Sequence, residues 1–358
     1  MTTLVFITDS PLMGTSFGAV TDQLCKRLSR EYHIFVLGIG YQGYPLNYHG
    51  YTILPLKDHS QIDFYLKKMK YDLPIVFHSW YVLLELHKIR SPVLFNNKLP
   101  ILYIPVEGDP IPQYGKDSLA DFRRILVPSK FSQDIMKKNG IKTDVVYHGV
   151  DTQIYHPNGD EPKNFTFGYL GQNDIRKQVC RVLRGFKWVS NKYPSEDFNL
   201  YLHTKAIHTY DLPGIARQLG IIPIWSESCN YDLPISEEKI SEFYRNLSAY
   251  VSPATEGFGL PPLEAVASGI PVVGLDHGAV PEILGDAMIK VKMDGMFETN
   301  IGKVGLIDED KLGIAMGNIY YDDEIYKRLR EKGLKIAKQY NWNDSTKKFK
   351  EIIEEELN

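Results

Sequence analysis

Ser252-Pro253-Ala254-Thr255-Glu256-Gly257-Phe258-Gly259-Leu260-Pro261-Pro262-Leu263-Glu264-Ala265-Val266-Ala267-Ser268-Gly269 is the stretch whose reading decides the fold. A short apolar run ends near Ser252, a loop with two glycines follows, and Pro262 suits the first turn of a helix that Gly269 stops. Strand, loop and helix in that order form the repeating unit of a parallel α/β sheet. The loop delivers the N–H groups of Phe258, Gly259 and Leu260 to a helix start, where an anion is favoured and glycine lets it come close.

Two carboxylates flank that anion site, Glu256 on the loop and Glu264 in the expected first helical turn. A carboxylate is a poor phosphate ligand, so both should face hydroxyls. A sugar diphosphate nucleoside offers hydroxyls on two rings with negative charge between them. From spacing alone a plainer reading stays open: one solvated loop glutamate and one glutamate favoured by the helix dipole.

Outward from this stretch the same unit repeats. Residues 4–8, 34–39, 75–78, 101–106, 125–128 and 145–147 are short, β-branched and apolar, as strands buried on both faces of a parallel sheet require. Val20, Leu24 and Leu28 recur every four residues between the first two runs and mark a helix with a core stripe. The pattern restarts at residues 165–170, 198–203, 221–225, 249–252 and 271–275. Two successive series predict two Rossmann-like, doubly wound parallel-sheet domains facing a cleft. A single (β/α) barrel is the competing architecture, disfavoured by the polar, turn-rich linker at residues 156–163. The expected division is residues 1–157 and residues 158–340, one domain each. After Lys311 the chain reads as helix to its end, with a break at residues 340–345 and a last helix over 341–358.

Composition narrows the function classes. With 358 residues, 43% hydrophobic and 24% charged, the chain is long enough for two cores. A net charge of -3 gives no electrostatic reason to expect nucleic acid. Cys25, Cys180 and Cys229 are scattered, without disulfide or metal spacing, and read as thiols without chemistry in a reducing compartment. Met1 to Thr8 carries no basic leader and no segment approaches membrane-spanning length, so a cytoplasmic location is expected, with peripheral membrane contact left open.

The stretch Glu256-Gly257-Phe258-Gly259-Leu260-Pro261-Pro262-Leu263-Glu264, with AVASGIPVVG after it, closely resembles the signature of family 4 glycosyltransferases, which retain anomeric configuration. Gly278-Ala279-Val280-Pro281-Glu282-Ile283 is similar to that family's G-G-V-P-E-I, with Ala279 for the second glycine. His148-Gly149-Val150-Asp151, then Tyr155-His156-Pro157, resembles N-G-V-D…F-x-P, with His148 for asparagine and Tyr155 for phenylalanine. Residues 127–131 resemble V-P-S-x-F, residues 104–110 a P-x-D-G-x-P variant, and residues 340–342 the family's closing helix start. The pattern Phe167-Gly168-Tyr169-Leu170-Gly171, then Arg176-Lys177, looks like the strand and basic loop that hold the diphosphate, although Gln172 stands where an arginine is common.

The resemblance implies the GT-B fold, with an acceptor-side domain over 1–157, a nucleotide-sugar-binding domain over 158–340 and a last helix, 341–358, returning to the first domain. It further implies hexosyl transfer from a nucleotide-sugar donor to an acceptor hydroxyl with retention. A nucleotide-sugar epimerase on the same scaffold and a non-catalytic sugar-nucleotide-binding module are the alternatives. It implies a catalytic group of Glu256, Lys177 and His78, with Glu256 on donor-sugar hydroxyls and Lys177 on the departing diphosphate. Glu264 would take the ribose hydroxyls, with Arg176, Gly257, Phe258, Gly259, Leu260 and Gly14 as further donor contacts. Gly14 belongs to Gly14-Thr15-Ser16-Phe17-Gly18, a loop that opens a helix and whose amides could face the diphosphate or the acceptor; Glu107 is a weaker acceptor candidate. No metal and no cofactor are expected beyond the donor. Asp308-Glu309-Asp310 matches a metal-binding DxD but precedes a helix, where acidic residues cap. The expected partners are the donor and a glycan, lipid or protein acceptor; sugar, base and oligomeric state are not readable.

Overall fold

The computed structural model describes residues 1–89, 94, 99–159, 162–226 and 235–358. Cys229 and the linker residues Asp160 and Glu161 lie outside the described residues. The chain divides into two compact units, Met1–Gly149 with Asn300–Gly302 and Asn341–Asn358, and Val150–Thr299 with Lys303–Tyr340.

In the first unit eight strands form one sheet: β1 (Thr3–Asp9), β2 (His33–Ile39), β3 (Leu46–Tyr48), β4 (Tyr51–Leu56), β5 (Leu73–Phe77), β6 (Ile101–Tyr103), β7 (Arg124–Val127) and β8 (Asp144–Val145). Their order is β3-β4-β2-β1-β5-β6-β7-β8, parallel except for the antiparallel β3–β4 pair. Leu4, Val5, Ile7, Ile75, Val76, Ile101 and Leu102 are wholly buried, which explains the near-continuous apolar runs. The chain winds outward from β1 to β4 and then returns to β5 on the other side of β1. The strand order therefore reverses between β1 and β5, and a crevice opens at the carboxyl ends there.

The second unit repeats the plan with β9 (Thr166–Leu170), β10 (Asn199–His203), β11 (Ile224–Trp225), β12 (Ala249–Ser252), β13 (Val272–Leu275) and β14 (Met288–Val291). The order β11-β10-β9-β12-β13-β14 puts its reversal between β9 and β12. Two open, doubly wound sheets replace the barrel alternative. A two-stranded ribbon, β15 (Met293–Thr299) and β16 (Gly302–Ile307), follows β14.

The helix Trp342–Leu357 packs in the first unit through Phe349, which is fully buried 6.2 Å from the Phe6 ring and 5.7 Å from that of Tyr103. Arg124 of β7 holds its far end through Glu355 at 2.6 Å. At its start the backbone of Trp342 lies so close to Gly149 that a Cβ there would sit 2.4 Å from the Trp342 nitrogen. Among the described residues no helix is long and apolar enough to cross a membrane.

The structure differs from the sequence reading where local signals are weak. Strand β4 carries Pro55, a residue that argues against a strand. The position tolerates it because β3 pairs only with Tyr51 to Ile53, so no ladder flanks Pro55 on that side. Strand β15 is mostly exposed and carries Asp294 and Glu298, and the short apolar runs of β14 and β16 are interrupted by the exposed Lys290 and Lys303. The run expected to extend to Val106 leaves the sheet after Tyr103, two residues before Pro105. The C-terminal helical stretch breaks at Asp322, whose side chain caps the next helix by accepting from the Ile325 amide at 2.9 Å.

Because Phe349 has no exposed surface and seats the last helix, Phe349→Ala is expected to destabilise the first unit by about 3–5 kcal/mol. A urea titration should show the midpoint falling with the folded far-ultraviolet spectrum retained before the transition.

Candidate active site

The reversal between β9 and β12 brings together two loops, residues 171–178 after β9 and residues 253–259 after β12. Glu256 Oε1 receives Lys177 Nζ at 2.6 Å, and Arg176 lies 3.6 Å from Oε2. Burial alone would raise the Glu256 carboxyl, but the adjoining Lys177 and Arg176 charges and hydrogen bonds hold it below the usual glutamate range. It is an ionised carboxylate between two cations. The sequence reading assigned Glu256 and Lys177 to different parts of one ligand; the structure joins them directly.

The backbone beneath Glu256 is fixed from three sides. Arg176 donates to the Thr255 carbonyl at 3.2 Å, the buried Thr255 hydroxyl accepts from the Gly305 amide at 2.9 Å, and Ala279 N–H donates to the Glu256 carbonyl at 2.9 Å. Gly278 has φ of 104°, and a Cβ there would lie 3.0 Å from the Glu256 nitrogen. The glycine of G-A-V-P-E-I thus lets that segment lie against Glu256, while Ala279 opens a helix in ordinary geometry.

The loop after β9 is organised by polar residues that sequence reasoning did not single out. Asn173 is almost wholly buried and donates to the carbonyls of Lys205 at 3.0 Å and Tyr210 at 2.8 Å. Asp174 accepts from the Lys177 amide at 2.8 Å. Gln178 has φ of 53°, and its buried amide donates to Pro253 and Gly305 carbonyls and accepts from Ile307 N–H at 3.0 Å. Gln178 ties the lysine loop to the glutamate loop and to β16. Its only sequence signal is its place beside Arg176-Lys177.

The helix after the second loop is Leu260–Ala267, with Gly259 as its N-cap at φ of 95° and no side chain capping it. Pro261 and Pro262 follow and carry no N–H, so this helix start offers fewer backbone donors than usual. The amides of Gly259 and Leu260 remain for an anion, and further positive charge must come from Arg176 and Lys177. Gly257 and Phe258 precede them in the same loop.

Glu264 is the fifth residue of the helix and not in its first turn, which corrects the sequence expectation and removes the helix-dipole explanation for it. It accepts from the Tyr244 hydroxyl at 2.8 Å, and the Tyr155 hydroxyl also favours its charged form. Burial raises its pKa to about 7, opposed by the Tyr244 hydrogen bond and assisted by the nearby charge of Glu237. A glutamate poised near neutrality at a strand-end crevice is a functional-site candidate.

In the first unit the corresponding reversal holds the other candidates. His78, just after β5, is buried, and its Nε2 donates to Asp9 Oδ1 at 2.7 Å while its Nδ1 accepts from the Ser79 amide at 2.8 Å. Burial would raise the Asp9 carboxyl, but the His78 hydrogen bond and charge and a Thr15 hydrogen bond keep it low. Phe17 stacks on the His78 ring at 4.7 Å. Gly14 ends a short 3-10 turn at φ of 61°, and Thr15 caps the next helix by accepting from the Gly18 amide at 3.1 Å. Gly18 therefore spends its N–H within the fold and presses against Ser10, where a Cβ would lie 2.6 Å from the carbonyl oxygen. That corrects the expectation that the amides of this loop face a ligand as a set. Glu107 is half-buried in the loop after β6. Asp308 caps the helix Glu309–Tyr321 by accepting from the amides of Asp310 and Lys311. Among the described residues no group of three or more His, Cys, Asp or Glu side chains is placed to hold a metal.

Residues 226–295 match the family described as glycosyl transferases group 1, a span that contains both flanking glutamates and the G-A-V-P-E-I turn. By fold the chain is of the GT-B type, and its matched segment is similar to glycosyl transferases. It is 26% identical over 223 residues to MMP alpha-(1->4)-mannosyltransferase of Mycolicibacterium hassiacum, covering 61% of this chain and 50% of that protein. The chain spans about half the length of the curated relatives it matches. Over the whole chain it resembles sucrose-phosphate synthase from Thermosynechococcus elongatus, with a TM-score of 0.78, 14% identity and 99% of each chain covered. HepE of Anabaena, solved in complex with UDP-glucose, aligns with a TM-score of 0.74 and 13% identity over 99% of this chain and all of that one. At such identities the two structures establish the GT-B fold alone.

In this glycosyltransferase-like chain, Gln178→Gly keeps the left-handed backbone but deletes three buried hydrogen bonds. The expected loss is about 2–4 kcal/mol, read from urea unfolding, because three buried backbone groups lose their partner. An unchanged midpoint would show that Gln178 does not hold the loops together.

Proposed function

We propose that the chain transfers a sugar from a nucleotide-sugar donor to an acceptor hydroxyl with retention of anomeric configuration. The observation that carries this reading is the convergence, at one strand reversal, of the Glu256–Lys177–Arg176 cluster, the Gly259–Leu260 helix start and the half-buried Glu264. Cations and helix-start amides suit a diphosphate, and the carboxylates at either end suit hydroxyls of two sugar rings.

In this reading Glu264 accepts ribose hydroxyls, and Glu256 positions the donor sugar through its own hydroxyls. Lys177 has three donor directions, so it can keep Glu256 and still meet a phosphate oxygen. Lys177, Arg176 and the two amides then stabilise the negative charge that grows on the diphosphate as the anomeric C–O bond breaks. Glu256 is held as an ion-paired carboxylate, which suits it to positioning and makes it a poor nucleophile. Attack from the leaving-group face follows, with the acceptor proton passing to the departing phosphate oxygen. His78, fixed by Asp9 and Phe17, is proposed as the first unit's contribution to the donor sugar, and Gly14 as a further contact. A glycan, lipid or protein is the proposed acceptor. HepE, solved with UDP-glucose, supports a nucleotide-sugar donor by similarity of fold.

A thermal-shift panel of nucleotide sugars on the wild type and Glu264→Ala tests the site: one donor should stabilise the wild type and lose that effect in the variant. With that donor, Lys177→Met should lower kcat by about 10²–10³-fold. Proton NMR of the product should show the anomeric configuration of the donor; inversion would overturn the retaining route.

Donor affinity should also depend on pH with a definite sign. Only the ionised Glu264 accepts from two hydroxyls, and its carboxyl titrates near 7 among Tyr244, Tyr155 and Glu237. Binding should therefore weaken as pH falls through about 7 and release a proton as it occurs. Titration calorimetry in buffers of different ionisation enthalpy should detect that proton, and Glu264→Gln should abolish it.

A further inference from the structure

The carboxylate of Glu264 is held by two phenols, neither of which is part of the cation and helix-start machinery. Tyr244, on the helix Glu237–Arg245, has no exposed surface and gives its hydroxyl to Glu264 Oε2 at 2.8 Å. Tyr155 is 3% exposed, and its hydroxyl favours the charged form of the same carboxylate from a separate segment. That segment is pinned to the same helix, because the Ile154 carbonyl accepts from Ser241 Oγ at 2.7 Å and from Arg245 at 3.3 Å. The two rings also meet edge to face, 6.0 Å apart.

An ionised carboxylate has about four acceptor positions. Tyr244 fills one and Tyr155 favours the same charge beside it, and the positions left over can take two adjacent hydroxyls on one face of a ring. We propose that Tyr155 and Tyr244 are positioning residues that lock Glu264 to accept a vicinal cis-diol, so that the site selects ribonucleotide over 2′-deoxyribonucleotide donors. The inference rests on the proposed role of Glu264 and adds its orientation and the sugar it discriminates. Burying a carboxylate disfavours its charge, a penalty that the phenols offset only in part, and apolar residues of similar volume would pack there without it. The arrangement is accounted for if the charge is needed when a diol arrives.

The test measures dissociation constants for UDP, GDP and ADP and for their 2′-deoxy counterparts by calorimetry on the wild type, Tyr244→Phe, Tyr155→Phe and Glu264→Gln. For the nucleotide that binds tightest, the wild type should prefer the ribose form by about 10- to 100-fold, the loss expected for one hydrogen bond to a charged group. Either phenylalanine variant should bring that ratio down to within about threefold of unity at pH 7, with thermal midpoints reporting that it remains folded. Raising the pH to 8.5 should restore part of the preference in the variants, because it re-ionises a Glu264 that has lost a donor; a merely structural defect would not respond. A ratio unchanged in both variants overturns the inference. If Glu264→Gln also keeps the wild-type ratio, the ribose role of Glu264 fails with it; if Glu264→Gln loses the ratio while both phenylalanine variants keep it, only the positioning role fails.

Discussion

The second unit depends on one short ion pair, Lys177 to Glu256 at 2.6 Å, set across the strand reversal between β9 and β12. Each partner stands on a loop that could not hold it alone. A half-buried carboxylate without a cation would take up a proton, and a lysine without a carboxylate would swing into solvent. Around the pair, the side chains of Gln178, Asn173, Asp174 and Thr255 are spent on backbone groups, so the loops are fixed before any ligand is present. Preorganisation of that kind separates a catalytic electrostatic site from a surface salt bridge, which contributes little.

The tyrosines beneath the site extend the same logic. Tyr169 donates to the Gln172 carbonyl at 3.1 Å, and Tyr250 donates to that of Leu170 at 3.0 Å. Both support the loop that carries Lys177, while Tyr244 and Tyr155 support Glu264. Tyr244 packs against Tyr250 at 5.8 Å and against Tyr155 at 6.0 Å between ring centroids, which joins the supports of the two loops. Apolar bulk fills the sheet–helix interface, and each hydroxyl tip fixes one functional element.

Much of this was legible in the sequence because it is local. The glycines and prolines between Glu256 and Glu264 dictate a strand–loop–helix on their own, and repeated apolar runs dictate two parallel sheets. Gly278 was readable as a motif, although its physical reason, close approach to the Glu256 backbone, appears only in three dimensions. Gln178, Asn173 and Tyr244 were not legible. Their partners lie from 20 to 129 positions away in the chain, and a buried amide or phenol has no periodicity to betray it. The missed strands β3, β4 and β14 to β16 fail for a related reason: tertiary pairing overrides a proline, a charged residue or mere shortness that local propensity counts against a strand.

The backbone at Gln178 shows where the fold concentrates its strain. A non-glycine residue at φ of 53° costs about 1 kcal/mol, and glycine would remove that cost. Glycine would also remove the amide that joins Pro253, Gly305 and Ile307, so the strain persists because the side chain offsets more than the backbone loses. The residue immediately before it is Lys177. A left-handed turn at 178 ends the loop abruptly and starts the helix Val179–Lys192 in a new direction, which leaves the lysine at the corner, aimed at Glu256. Strain, staple and cation occupy consecutive positions because the direction of the Lys177 side chain is set by the turn that follows it.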